Sequence, residues 1–108
     1  MLTFHRRVGK QHSVRIRISE RSEGDAASAL FMPEEQHVRT FPKQVHGSEI
    51  LSVFRPGEGN GHPADGLVTS TPGAVIGVRS ADCVSVALYG MTSSNPLIGV
   101  VHAGWRGI

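Results

Sequence analysis

The sequence has a single cysteine, Cys83, and no apolar run near the roughly 20 residues a membrane-spanning helix needs. One cysteine excludes an internal disulfide, so a disulfide-stapled secreted scaffold is ruled out and a reducing, cytoplasmic setting is expected. Met1 to Arg17 lack the apolar core of a signal peptide, and no membrane association is expected. Charge of either sign is also scarce: charged residues make up 19%, and the net charge is only +2. The small excess is gathered at Arg6, Arg7, Lys10, Arg15 and Arg17. No nucleic-acid motif accompanies it, so it reads as a solvated strand face and no nucleic-acid partner is expected.

What is present suits one globular domain over residues 1–108, with 39% hydrophobic residues. Thirteen glycines and six prolines imply many turns. Ser13 to Ser19 alternate, with Val14, Ile16 and Ile18 on one side, as in a half-buried strand. Asp25 to Met32 predict a short helix, and Val38 to Phe41 a short strand stopped by Pro42. Further strands are expected over Glu49 to Phe54, Leu67 to Thr69, Ala74 to Arg79, Val84 to Tyr89 and Leu97 to His102. Pro56 to Pro63, with three glycines, two prolines and Asn60, reads as a mobile loop. Thr71-Pro72-Gly73 is a turn signal.

The last two expected strands permit a geometric argument. If they are antiparallel neighbours with Tyr89 beside Leu97, Cys83 falls opposite Ala103 and one place from His102. Both would then lie at the same end of the sheet, while a one-residue slip would decide whether they share a face. A thiolate is a nucleophile and a soft metal ligand, and an imidazole is a base or a zinc ligand. One Cys with two His leaves a fourth zinc position open, as in catalytic rather than structural sites. A lone cysteine is also a common small core residue, so spacing alone leaves both readings standing.

Four strings then occur in order: Gln44-Val45-His46-Gly47, Ala64-Asp65-Gly66-Leu67-Val68-Thr69, Ala81-Asp82-Cys83 and His102-Ala103-Gly104-Trp105-Arg106-Gly107. Together they closely resemble the multicopper polyphenol oxidase, or laccase-domain, family. Members of that family are regarded as purine nucleoside phosphorylases with adenosine deaminase and methylthioadenosine phosphorylase activity. The resemblance runs over about residues 38 to 108 and is weak before that. It implies an α+β fold of mixed β-sheets with flanking helices, a four-layer α/β/β/α arrangement of which this chain holds an incomplete portion. It implies purine nucleosides and phosphate as partners, and a zinc site in which His46, Cys83 and His102 are the ligands. Ser85 departs from the pattern, since members often carry proline there. The family also continues past the last motif, which leaves a truncated, inactive fragment or interaction module as an alternative. That alternative predicts an exposed apolar surface, and with it a homodimer or aggregation.

The remaining roles stay open at this level. Cys83 is either the third zinc ligand or a nucleophile in a metal-independent Cys-His thiol hydrolase. Arg106 suits phosphate, because a guanidinium matches its oxygens bidentately, but it also reads as a surface arginine. Asp65 and Asp82 either orient the histidines or simply form turns. Gln44 either donates to substrate or ends a strand, and Trp105 reads as a core residue. Six histidines with no His-X-His spacing do not suit a multi-copper cluster.

Overall fold

The structure, a computed structural model, describes residues 2–19, 32–79, 84–92 and 95–103. Its first element is a hairpin of β1 (Leu2–Val8) and β2 (His12–Ile18), paired from Leu2 opposite Ile18 to Val8 opposite His12. The sequence pattern located β2 but not β1, because Leu2, Phe4 and Arg6 do not alternate by polarity in the way a half-buried strand does. Consistent with that, β1 is exposed along its length except at Val8. In β2, Val14 is buried and Ile18 exposed. The helix expected over Asp25 to Met32 lies outside the described residues apart from Met32. That residue caps a two-turn 3-10 helix, Pro33–Val38, opened by the fixed φ of Pro33.

Two further sheets follow. β3 (Arg39–Thr40) runs parallel to β6 (Val75–Ile76), with Thr40 level with Ile76. β6 is much shorter than the strand expected over Ala74 to Arg79. The larger sheet has the order β4-β5-β8-β7, formed by Ile50–Val53, Gly66–Thr69, Pro96–Ala103 and Val84–Met91. β4 and β5 are parallel, and β5, β8 and β7 are successively antiparallel. Mixed sheets are thus what the chain builds, as its α+β reading required.

The β7–β8 hairpin differs from expectation by one residue. Ala103 pairs with Val84 and His102 with Ser85. The turn at Thr92 and Asn95 is the reason: Thr92 N–H donates to the Asn95 carbonyl at 2.8 Å, and both strands run one or two residues closer to the turn than their composition suggested. The expected register set Val84 opposite His102, whereas this one puts Ser85 there, on the other face of β7 from Val84.

The inner face of the large sheet carries the core. Val53 and Leu67 are almost fully buried, and the Thr69 hydroxyl donates to the Val53 carbonyl at 2.6 Å. On the outer face Ile50, Val86, Leu88 and Leu97 are exposed, although all are large and apolar. The loop after β4 is not free. Thr40 hydroxyl donates to the Glu58 carbonyl, Phe41 N–H to Asn60 Oδ1 and Gly61 N–H to the Phe41 carbonyl, at 2.8 to 2.9 Å. The expected mobile loop is instead a run of turns tied to β3. Among the described residues no helix is long and apolar enough to cross a membrane.

Candidate active site

Asp65 precedes β5 and extends its pairing with β8 by one step, for the His102 N–H donates to the Asp65 carbonyl at 2.7 Å. Asp65, His102 and Ser85 therefore form one row across three chain segments. The Asp65 side chain is the hub. Oδ1 accepts the N–H groups of Val45 and Gly47, each at 3.0 Å. Oδ2 accepts the His46 N–H at 3.1 Å and lies 3.1 Å from His102 Nδ1.

Three successive N–H groups converge on one carboxylate only if the backbone curls tightly, and His46 takes a left-handed φ of 58° to allow it. That conformation costs a non-glycine residue about 1 kcal/mol, offset here by charge-assisted hydrogen bonds. Burial pushes the Asp65 carboxyl up, but hydrogen bonds from Gly47, the His102 ring, Val45 and His46 outweigh it and bring it to about 2. An ionised carboxylate only accepts, so Nδ1 of His102 is the donor, and the neutral tautomer this selects is the one with its lone pair on Nε2.

The same hub brings the two histidines together. Their ring centroids are 5.2 Å apart with an interplanar angle of 69°. His102 is buried and His46 exposed. Both rings line an open cleft of about 900 Å³ whose wall also includes Gln44, Ser85, Arg17 and Arg39. Arg17 is ion-paired with Glu35, and the Arg39 guanidinium stacks over the Phe41 ring at 5.6 Å. Arg15 and Arg79 line the cleft as well, and Glu35 is the one acid among its described lining residues.

Of the residues expected at the site, His46 and His102 are brought together and Asp65 orients both. Cys83 and Arg106, with Asp82 and Trp105, lie outside the described residues. Among the described residues no group of three or more His, Cys, Asp or Glu side chains is placed to hold a metal ion. The donor chemistry nevertheless fits zinc as far as it is described: two adjacent imidazoles, one fixed with a free Nε2 lone pair by a carboxylate. Gln44 does not present its amide to the cleft as a free group. Its Nε2 donates to the Arg79 carbonyl at 2.8 Å, and its Oε1 accepts the Arg79 N–H at 2.7 Å. Sequence reasoning passed over Arg17 and Arg39 as cleft residues, because nothing local signals that β2 and β3 meet there.

Residues 17–108 match the family described as multi-copper polyphenol oxidoreductase laccase, and the chain belongs to that family. The match begins well before the first of the four motifs. A purine nucleoside phosphorylase of Xylella fastidiosa is 40% identical over 96 residues, covering 82% of this chain and 34% of that protein. One from Aquifex aeolicus is 46% identical over 71 residues, covering 62% of this chain and 30% of that protein. The crystal structure of Bacillus licheniformis hypothetical protein YfiH matches with a TM-score of 0.58 and 34% identity, over 66% of this chain and 29% of that one. The chain thus spans about a third of the length of the curated relatives it matches.

Proposed function

We propose that this chain carries part of the active site of a zinc-dependent purine nucleoside phosphorylase that also has adenosine deaminase and methylthioadenosine phosphorylase activity. The observation that carries the reading is the pairing of His46 with His102 by one buried carboxylate at the wall of a cationic cleft. The names of the relatives support the substrate class. The ligands would be His46, Cys83 and His102. In sequence Cys83 is the residue before Val84, where β7 begins, and the Ser85 of that strand pairs with His102. Zinc bound there supplies Lewis acidity, for polarising a substrate oxygen or acidifying a water.

The residues of the chain do the rest. In phosphorolysis a phosphate oxygen bonds to ribose C1′ while the bond from C1′ to the purine breaks, and the base leaves with the electron pair and takes up a proton. The cationic lining of the cleft, together with Arg106, concentrates phosphate and stabilises its charge. Asp65 keeps His102 in one tautomer and His46 in one backbone conformation, so neither reorganises when substrate binds. The test is incubation of the protein with zinc, adenosine and phosphate, followed by chromatography. Adenine and ribose 1-phosphate are expected from phosphorolysis, and inosine and hypoxanthine where deamination also occurs. Absence of all four overturns the reading.

A further inference from the structure

Between β3 and the His46 turn the backbone changes partners. β3 runs beside β6, and the ladder continues one step further as Gly77 N–H donates to the Thr40 carbonyl at 3.0 Å. There it stops. Pro42 has no N–H to offer, and the chain swings to the segment after β4: Lys43 N–H donates to the His62 carbonyl at 3.0 Å, and Ala64 N–H to the Lys43 carbonyl at 3.1 Å. After Pro42 the described backbone thus turns away from the strip 77–79 that follows β6.

Gln44 reaches back to that strip. Its side-chain amide gives one donor and one acceptor to the N–H and carbonyl of a single residue, Arg79, as a paired strand would. No other side chain matches that role at this length. Glutamate keeps the acceptor but sets a negative charge against the Arg79 carbonyl, and asparagine is one methylene short.

His46 lies two residues beyond Gln44, in a turn whose only other side-chain anchor among the described residues is Asp65. One anchor lets a turn pivot about it, and two do not. We propose that Gln44 is a positioning residue: it moors the His46 turn to the strip after β6, so that Asp65 and Gln44 together fix the His46 ring against His102. This rests on the reading that these two histidines belong to one metal-binding active site. It assigns Gln44 to the geometry of that site, not to contact with substrate.

The experiment compares wild type with Gln44→Ala, Gln44→Glu and His46→Ala by cobalt(II) titration, followed by visible absorption, and by nuclear Overhauser contacts between the two rings in metal-free protein. His46→Ala is expected to lose tight cobalt binding. Gln44→Ala is expected to bind cobalt roughly 10- to 100-fold more weakly and to lose the ring contact, with little change in melting temperature. Gln44→Glu should fall between the two, and it decides the matter if the alanine variant does not fold. Wild-type cobalt affinity and an unchanged ring contact in both Gln44 variants would overturn the mooring role. If His46→Ala binds cobalt like wild type, the metal reading fails instead, and the ring contact alone then judges Gln44.

Discussion

Oδ2 of Asp65 stands 3.1 Å from Nδ1 of His102 and accepts the backbone N–H of His46 at the same distance. One oxygen atom therefore sets the side chain of the first histidine and the main chain of the second. Asp65→Asn is close to isosteric, but it replaces one acceptor with an NH2 group. With the amide oxygen on the side of Val45 and Gly47, that NH2 meets the His46 N–H and can be tolerated by His102 only if Nδ1 becomes the acceptor. The proton then moves to Nε2, the nitrogen that the proposed zinc site would need free. The expected result is about 2 kcal/mol of lost stability and a roughly 10- to 100-fold fall in metal affinity or activity. Nitrogen-15 NMR of His102 checks the tautomer directly, and an Nδ1–H tautomer in the variant would refute the argument.

Acid should expose the same carboxylate. Because the folded protein holds the Asp65 carboxyl at about 2, below its usual 3.8, folding favours the ionised form. The stabilisation is therefore complete above about pH 4, declines as pH falls through 2, and is absent below that. Its full size is about 2 kcal/mol. Urea unfolding at several values between pH 6 and pH 2 should show wild type losing this increment, with Asp65→Asn flatter over the same interval. Parallel curves for the two proteins would show that Asp65 is not the group responsible.

How much of this was legible in the residues varies with the range of the interaction. Val84 to Tyr89 and Leu97 to His102 announce a hairpin by composition, and the structure forms it. The register slipped by one because Pro96 and Met91 join the ladder, which only the turn geometry at Thr92 and Asn95 decides. His46 and His102 could be named from local motifs. Their contact could not, since it depends on Asp65 closing a loop between residues 19 and 37 positions away. β1 was missed because an exposed hairpin needs no apolar alternation to pair its backbone. Arg15 and Arg17 read in sequence as part of a solvated N-terminal cluster, yet the fold brings them to the same cleft as Arg39 and Arg79.

The segment after β4 gives a prediction whose sign is informative. Gly57 has φ of +80°, and a Cβ built there would lie 2.5 Å from the His37 carbonyl oxygen, which is backbone and cannot rotate away. A mobile loop would accept Gly57→Ala without cost, or gain stability from a stiffer unfolded chain. A loop tied to β3 should instead lose about 1–3 kcal/mol through strain at a left-handed position and the clash. Chemical denaturation of the variant decides between them, and a neutral or stabilising result would return the segment to the mobile class.

Cys83 separates the two chemistries open to the site. As a zinc ligand it is a thiolate held by the metal, so alkylation by iodoacetamide should be slow in the zinc-loaded protein and fast after a chelator has stripped it. Activity should fall by at least about 100-fold on chelation and return when zinc is added, since the Lewis acid is then restored to His46, Cys83 and His102. As a nucleophile in a metal-independent Cys-His pair, it should be alkylated at the same rate with and without zinc, and the chelator should leave activity intact. Cys83→Ser impairs both and so discriminates poorly alone. The alkylation rate measured with and without zinc is the decisive comparison, and a rate indifferent to the metal would remove Cys83 from the ligand set.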